Sequence, residues 1–500
     1  MPQAVTEKED IQALVRSGFA NLTEAEFWLC RIKDVATARA FLGAAPATTV
    51  AQLATHQPTA LQVAISAGGM RVLGVPDDIV GGFSAEFVEG IAGDKSRSRR
   101  LGDVGLSAPE TWAWGYPRAP DVLLMLYALP GGLDAFRQHV ATLAGESAFA
   151  VTVLPTSDMG GHEPFGFVDG VSQPAIDWQG RRSPGTPGDL EYGNLISAGE
   201  FLLGYENEYG RLTERPMLAT QAAAAEPLPP AADDPARRDL GRNGTYLVFR
   251  QLGQDVGSFW RFAREQAGAA GAEGLAEAMV GRRLSGDPLE PVAQTPLRGV
   301  GPKPDALAQN NFTFGGDPEG QTCPLGAHIR RANPRTADMP GGVGDLLSRA
   351  ARMLGWTKED PRADVVASSR FHRVLRRGRE YGQTSDPAAL IRDGAPDPVC
   401  GLNFLCLNAN IERQFEFVQS AWVMSAKFDG LTGEQDPLLG NRQPLPPAEA
   451  TSGFSLPSAA GPARRLGELP QFVTVLGGAY FFLPGIRALR FLAAGAGAAV

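Results

Sequence analysis

Short apolar runs, each followed by an amphipathic stretch, recur along the chain. AEFWLCRI (25–32) reads as a buried strand and VATARAFLGAA (35–45) as the helix after it. ALQVAISAGGMRVLG (60–74) runs from strand into short helix, and DVLLMLYAL (121–129) precedes the helical pattern LDAFRQHVATLA (133–144). The same pairing returns in GTYLVFRQL (244–252) with GSFWRFAREQA (257–267), and in GLNFLCLNA (401–409) with ERQFEFVQSAW (412–422). Runs of this length, rich in β-branched and aromatic residues, suit buried strands. The uncharged segment from Phe472 to Ile486 is broken by Gly477, Gly478 and Pro484, so it reads as a buried strand and a helical turn rather than a membrane span.

Strong punctuation separates these units. AAAAEPLPPAADDPARRDLGRNG (222–244) reads as a linker or long loop, and NRQPLPPAEATSGFSLPSAAGP (441–462) as a second irregular stretch. The chain therefore divides near residue 240, into 1–240 and 241–500. Each part mixes strands and helices without regular βαβ alternation, which is an α+β signature. No GxGxxG turn and no P-loop is present, and GGVGDLL (341–347) is only a glycine-rich turn.

Composition narrows the chemistry. With 500 residues, 43% of them hydrophobic and 20% charged, the chain can enclose a deep pocket. A net charge of −9 argues against nucleic acid as a partner. Cys30, Cys323, Cys400 and Cys406 form no CxxC pair and stand near no histidine cluster, so neither zinc nor a disulfide scaffold is expected. The N-terminal MPQAVTEKED has no apolar core and no twin arginine; a cytoplasmic protein without a membrane anchor is expected.

Five histidines make elimination practicable. His139 falls in a helical pattern and His56 in a polar loop, which marks both as surface or packing residues. His162 precedes Asp169 closely enough to line the same cleft, and His372 falls in the cationic stretch RFHRVLRRG, read as a strand. His328, in CPLGAHIRRANPR, is followed by Arg330, Arg331 and Arg335. An imidazole beside clustered guanidiniums is placed either as a structural residue or to hold an anionic cofactor, the arginines pairing with its acidic groups and the ring binding iron. Asp169, between Gly166 and Gly170 in FGFVDGVSQP, is either a turn residue or a carboxylate aimed at a ligand.

Three stretches in order, GFVDGVSQP, CPLGAHIRRANPR and VLRRGREYG, resemble the dye-decolorising peroxidase family, which binds haem. GLNFLCLNANIERQFEFVQSAW and FVTVLGGAYFFLPGIRALRFLA extend the resemblance over nearly the whole chain, from about residue 10 to 492. It implies two ferredoxin-like halves with antiparallel sheets, of the dimeric α+β barrel type, with haem b (iron protoporphyrin IX) mainly in the second half under a loop from the first. It further implies reduction of hydrogen peroxide with oxidation of an organic reductant such as a bulky dye or a phenol. By the same resemblance Asp169 is the distal acid/base, Arg376 the distal arginine, His328 the axial iron ligand and Arg335 a propionate partner. Arg377 is adjacent to Arg376, so that assignment can slip by one. The carboxylate partner of His328 is Asp436 or Asp429, which spacing does not separate. Tyr381 is either a radical relay or an ordinary packed tyrosine. Gly166 and Gly170 are expected to let the backbone approach the haem face. An aspartate titrates near 3.9, against 6.5 for histidine, so an acidic optimum is expected. Members of the family often associate, which leaves a homo-oligomer open. The competing readings are a non-enzymatic haem carrier or sensor, which needs His328 without the distal pair, and an enzyme acting on the porphyrin itself. The long stretch 336–370 is an insert relative to compact members and bears on the access route.

Overall fold

The computed structural model describes residues 4–182, 193–219, 225, 227–289, 310, 312–335, 368–384, 386–393, 398–444, 450–458 and 461–495. The insert, apart from 368–370, lies outside the described residues, as does part of the 222–244 stretch.

The first half contributes β1 (Glu24–Ile32), α1 (Val35–Ala44), β2 (Thr59–Ile65), β3 (Val122–Ala128), α2 (Leu133–Ala144) and β4 (Phe149–Pro155). The second contributes β5 (Thr245–Gln254), α3 (Val256–Val280), the short α4 (His328–Ala332), β6 (Leu375–Arg376), β7 (Arg379–Gly382), β8 (Cys400–Asn408), β9 (Val473–Leu483) and α5 (Ile486–Ala494). The strands pair in the order β4-β1-β3-β2 and, in the same order repeated, β9-β5-β8-β6, with β7 also on β8. Each half thus has the ferredoxin-like strand order, and every one of these pairings is antiparallel. The two groups do not remain separate sheets. Phe482 on β9 pairs with Ile65 on β2, which joins them into one nine-stranded sheet.

Both faces of this sheet are covered, which explains why its strands read as continuous apolar runs. On β3, Val122, Leu124 and Leu126 face one core layer with Phe41 of α1 and Val140 of α2. Leu123, Met125 and Tyr127 face the other, with Ile11, Leu14 and Phe201. The period-two alternation of side chains thus sorts one strand into two cores. β4 escaped the pattern reading because it lies at the sheet edge with Val151 and Val153 exposed.

Three elements depart from the sequence pattern. The helix expected over 257–267 runs on to Val280 as α3, bent at Gly268, whose φ of 71° and ψ of 166° are not helical. The stretch expected as an amphipathic helix over 412–422 is wound as π-type turns, with Glu416 N–H donating to Ile411 O and Met424 N–H to Gln419 O. The strand expected at RFHRVLRRG shrinks to Leu375–Arg376, leaving His372 in the preceding turn. No helix among the described residues is long and apolar enough to cross a membrane.

Candidate functional site

On one face of the second half's sheet lies a cavity of about 290 Å³. Its walls are apolar, with Leu252 from β5, Leu402 and Phe404 from β8, Phe415 from the π-wound segment, Leu439 and Val473. Two polar pairs are set into these walls: His328 with its partner Asp436, and Asp169 with Arg376.

His328 is the first residue of α4, after Ala327. Its Nδ1 lies 2.9 Å from Asp436 Oδ2. Asp436 Oδ1 accepts the N–H groups of Leu438 and Leu439, each at 2.9 Å, so the carboxylate is held at both oxygens. Burial pushes the Asp436 carboxyl up, but His328 and the backbone donors outweigh it and hold it below the usual carboxylate range. Burial likewise opposes charge on His328, and the attraction of Asp436 outweighs it in the raising direction. A carboxylate at Nδ1 assigns the proton to that nitrogen and turns Nε2 into an electron-pair donor. Asp429 makes no hydrogen bond to His328; it sits in a turn of its own at φ 49°.

The opposite pair rests on a tightly wired loop. Glu163 Oε2 accepts Phe165 N–H and Oε1 accepts Phe167 N–H, each at 3.0 Å, while Trp260 Nε1 donates to Phe165 O. Two residues on, Asp169 N–H donates to Gly161 O, and Asp169 Oδ1 accepts Gly170 N–H at 2.6 Å and Arg376 Nη1 at 3.2 Å. Arg376 is itself located by Gln173 Oε1, which accepts its N–H, and by Ser172 O, which accepts Nη2. Asp169 Oδ2 has no hydrogen-bond partner among the described residues, and Asp169 lines the cavity. Arg377, the residue just after β6, points to the other face, where its Nε and Nη2 donate to Leu14 O and Val15 O. The structure therefore brings Arg376, not Arg377, to Asp169.

Other expected residues fall differently. Gly166 and Gly170 do not line the cavity. Both have positive φ, 101° and 75°; a Cβ on Gly166 would meet Pro387 Cγ at 2.5 Å, and one on Gly170 would meet nothing within 4 Å. Both positive φ values are what the turn requires, and Gly166 also makes room for Pro387. Arg330 and Arg331 are also not ligand-facing. Arg330 is tied to Asp317 and to Cys323 O, and Arg331 to the carbonyls of Gly326, Trp422, Ser425 and Glu434. Of that cluster only Arg335 lines the cavity; its Nη1 donates to Asn310 O and Phe312 O, and the guanidinium lies over the Phe312 ring. His162 is exposed and outside the lining. Tyr381 is half-buried, with its hydroxyl donating to the carbonyl of Leu252, a cavity residue; burial pushes it up to about 12.

The pattern reading missed four ionisable lining residues: Glu163, Arg282, His372 and Arg373. His372 stacks on Phe417 with ring centroids 3.6 Å apart, and its Nδ1 bonds Arg413 O. Burial drives its pKa down to about 3, so the ring is neutral. The stretch RFHRVLRRG was the available signal for His372 and Arg373. Arg282 follows Gly281, the left-handed glycine that ends α3, but a helix stop does not by itself mark the next residue as lining a cavity.

As a donor set, the cavity offers one orientated imidazole, apolar walls, and Arg282, Arg335, Arg373 and Arg376 along its lining. Among the described residues no group of three histidine, cysteine, aspartate or glutamate side chains could hold a bare metal ion. One nitrogen donor, flat apolar walls and several guanidiniums fit instead a metal whose remaining donors belong to an acidic macrocycle, as in haem.

No family model matches the chain. The chain is 27% identical over 507 residues to a dye-decolorizing peroxidase of Mycetinis scorodonius, covering 96% of this chain and 86% of that protein. It is 28% identical over 495 residues to a multifunctional dye peroxidase of Amycolatopsis sp., covering 92% and 90%. The crystal structure of a fungal DyP-type peroxidase from Auricularia auricula-judae superposes with a TM-score of 0.71 at 27% identity, over 98% of this chain and all of that one.

Proposed function

The chain belongs with the dye-decolorising peroxidases, and from that premise we propose that it is a haem peroxidase, with haem b as its cofactor, that reduces hydrogen peroxide and oxidises an organic reductant such as a bulky dye or a phenol. The observation that carries the reading is the pairing of two constellations in one apolar cavity: His328 orientated by Asp436, and Asp169 held by Arg376. A carrier needs the first pair only.

In this reading His328 Nε2 would hold the iron, and Arg335 with Arg282 and Arg373 would meet the propionates. The haem, when bound, supplies the electrons and the Lewis acidity for cleaving the peroxide O–O bond. The chain's own residues move the protons. Asp169 Oδ2, the oxygen left without a partner, takes a proton from hydrogen peroxide and returns it to the oxygen that departs as water. The Arg376 guanidinium stabilises negative charge on that departing oxygen and keeps Asp169 Oδ1 occupied, so that the proton moves through Oδ2. Leu402 and Phe404 line the cavity and keep bulk water from it, which strengthens both interactions. Tyr381 is proposed as a relay to a reductant too large to enter: its ring is one hydrogen bond from Leu252 in the cavity wall. The four cysteines are free and buried, which suits the reducing cytoplasm proposed as its compartment.

The test is an absorption spectrum of haem-loaded wild type beside His328→Ala and Asp169→Ala, followed by addition of peroxide. The expected result is a Soret band lost or shifted only in His328→Ala. The peroxide reaction should be slowed by about 10²–10⁴-fold in Asp169→Ala, the range for removing a general acid–base group. Wild-type protein that takes up no haem overturns the reading. Haem-loaded Asp169→Ala reacting at the wild-type rate moves the proton-transfer role elsewhere.

A further inference from the structure

Asp169 has a second carboxyl group near it on the cavity wall. Glu163, six positions earlier on the same loop, lines the cavity and is bound on both oxygens. Oε1 accepts Phe167 N–H, and Oε2 accepts Phe165 N–H and, at 2.9 Å, Gln254 Nε2 from β5. Main-chain bonds repeat the closure, with Glu163 N–H donating to Phe167 O and Gly166 N–H to Glu163 O. One side chain thus organises the turn that delivers Asp169 and pins that turn to the sheet. Gln254 Oε1 is buried without a partner among the described residues, so the amide can turn and accept an O–H from a protonated Glu163.

We propose that Glu163 is a positioning residue for the peroxide step: it braces the loop that presents Asp169, and its protonation state sets the charge beside Asp169. The proposal rests on the peroxidase reading. Burial pushes Glu163 up to about 7, against its three hydrogen-bond donors, and Asp169 pushes in the same direction. The other ionisable groups coupled to it are Cys400 at the start of β8 and His328 on α4. Glu380 on β7 is also raised to about 7, mainly by burial, and also feels Asp169, but it does not line the cavity. Below neutral pH Glu163 is uncharged. Above it, a second negative charge strengthens Asp169's hold on the proton that must be returned to the departing oxygen. The same charge eases the first proton uptake, so the sign follows from the return being the limiting transfer: the peroxide step then slows as pH rises through neutrality.

Two readouts test this. Infrared spectra of Glu380→Gln protein, recorded from pH 5 to 9, should show a protonated-carboxyl stretch that disappears near neutral pH, and in the difference from the further variant Glu163→Gln that band, and not those of Asp103, Glu200, Asp239, Glu416 or Asp429, should be the one lost. In haem-loaded protein mixed with peroxide, wild type and Glu380→Gln should share an inflection near neutral pH, while Glu163→Gln should be flat through it. Glu163→Ala, which strands the Phe165 and Phe167 N–H groups, should lose about 10²-fold in kcat/KM for peroxide at every pH, at the low end of acid–base effects. KM for the organic reductant should be unchanged. A Glu163→Gln protein that keeps the infrared band and the inflection overturns the proposal, and so does loss of both in Glu380→Gln alone. Failure of the wild type to take up haem is a different result: it overturns the peroxidase reading and, with it, any part for Glu163 in a peroxide step.

Discussion

Asp436 divides its two oxygens between two tasks. Oδ2 takes the His328 ring, and Oδ1 takes the N–H groups of Leu438 and Leu439. An amide cannot replace it. In Asp436→Asn one end of the side chain must set an NH2 against a donor, either the ring N–H or the backbone pair. The ring then loses its fixed tautomer or its fixed orientation. The expected outcome is a loss of about 10–100-fold in haem affinity, the usual effect of removing a partner behind a metal ligand, with a shifted Soret band. Haem titration measures it directly. Asp429→Asn, in a separate turn, should leave both quantities unchanged; an equal loss in the two variants would refute the assignment. The sequence named both aspartates and could not choose, because the choice is made by a turn that folds back over 108 residues to meet α4. The distal pair was more legible. Asp169 is marked by the glycines that its turn requires, and Arg376 by strand alternation, since one face of β6 meets the cavity and the other meets Leu14. Glu163 was not legible, because nothing in a local pattern distinguishes a loop-bracing carboxylate from a solvated one.

At the scale of elements, α3 shows how far a pattern can be followed. The apolar periodicity ends at Ala267, and the next residue, Gly268, carries the usual signature of a helix stop. The helix instead bends there and resumes, so that Leu275, Ala276 and Met279 stay buried. Gly268 has φ 71° and ψ 166°, a region that only glycine occupies without strain, while a Cβ there would meet nothing within 4 Å. Gly268→Ala should therefore destabilise the protein through backbone strain alone, by about 1–3 kcal/mol. Gly274 provides the matched comparison: it is helical and equally uncrowded. Gly274→Ala should stabilise by roughly 0.5–1 kcal/mol, because a helical alanine gives up less backbone freedom on folding than a glycine and meets no clash. Urea midpoints with unchanged m-values would measure both. Equal shifts of one sign would mean that the bend is not held by the rest of the fold. The π-wound segment was illegible for a related reason: its composition is that of an ordinary amphipathic helix, and π turns, rare and frequent at functional sites, have no compositional signature of their own.

Across the whole molecule, the division near residue 240 separates two strand sets of the same order, yet contacts of several kinds cross it. β9 continues the first half's sheet through Phe482 and Ile65. α5 packs on α1, with the backbones close enough that a Cβ on Gly43 would lie 3.6 Å from Ala493 Cβ. Gln12 Nε2 donates to Pro484 O, and Arg487 pairs with Glu7 and Asp10 near the start of the chain. The distal loop comes from the first half, while His328, Asp436 and Arg376 come from the second. We propose that the parts 1–240 and 241–500 are topological halves of one cooperative unit. Each half alone would expose the apolar face it now buries against the other: Phe41 and Leu42 of α1 on one side, Leu489 and Leu492 of α5 on the other. The full chain should then unfold in urea in a single transition, seen at the same midpoint by tryptophan fluorescence and by circular dichroism. The fragment 241–500 expressed alone should lack fixed near-ultraviolet circular dichroism and bind no haem, although it carries the proposed axial histidine and its carboxylate, and co-expression with 1–240 should restore both. A fragment 241–500 that unfolds cooperatively on its own would show that the halves are independent domains, and that the distal loop is delivered to the cavity across an interface rather than from within a shared core.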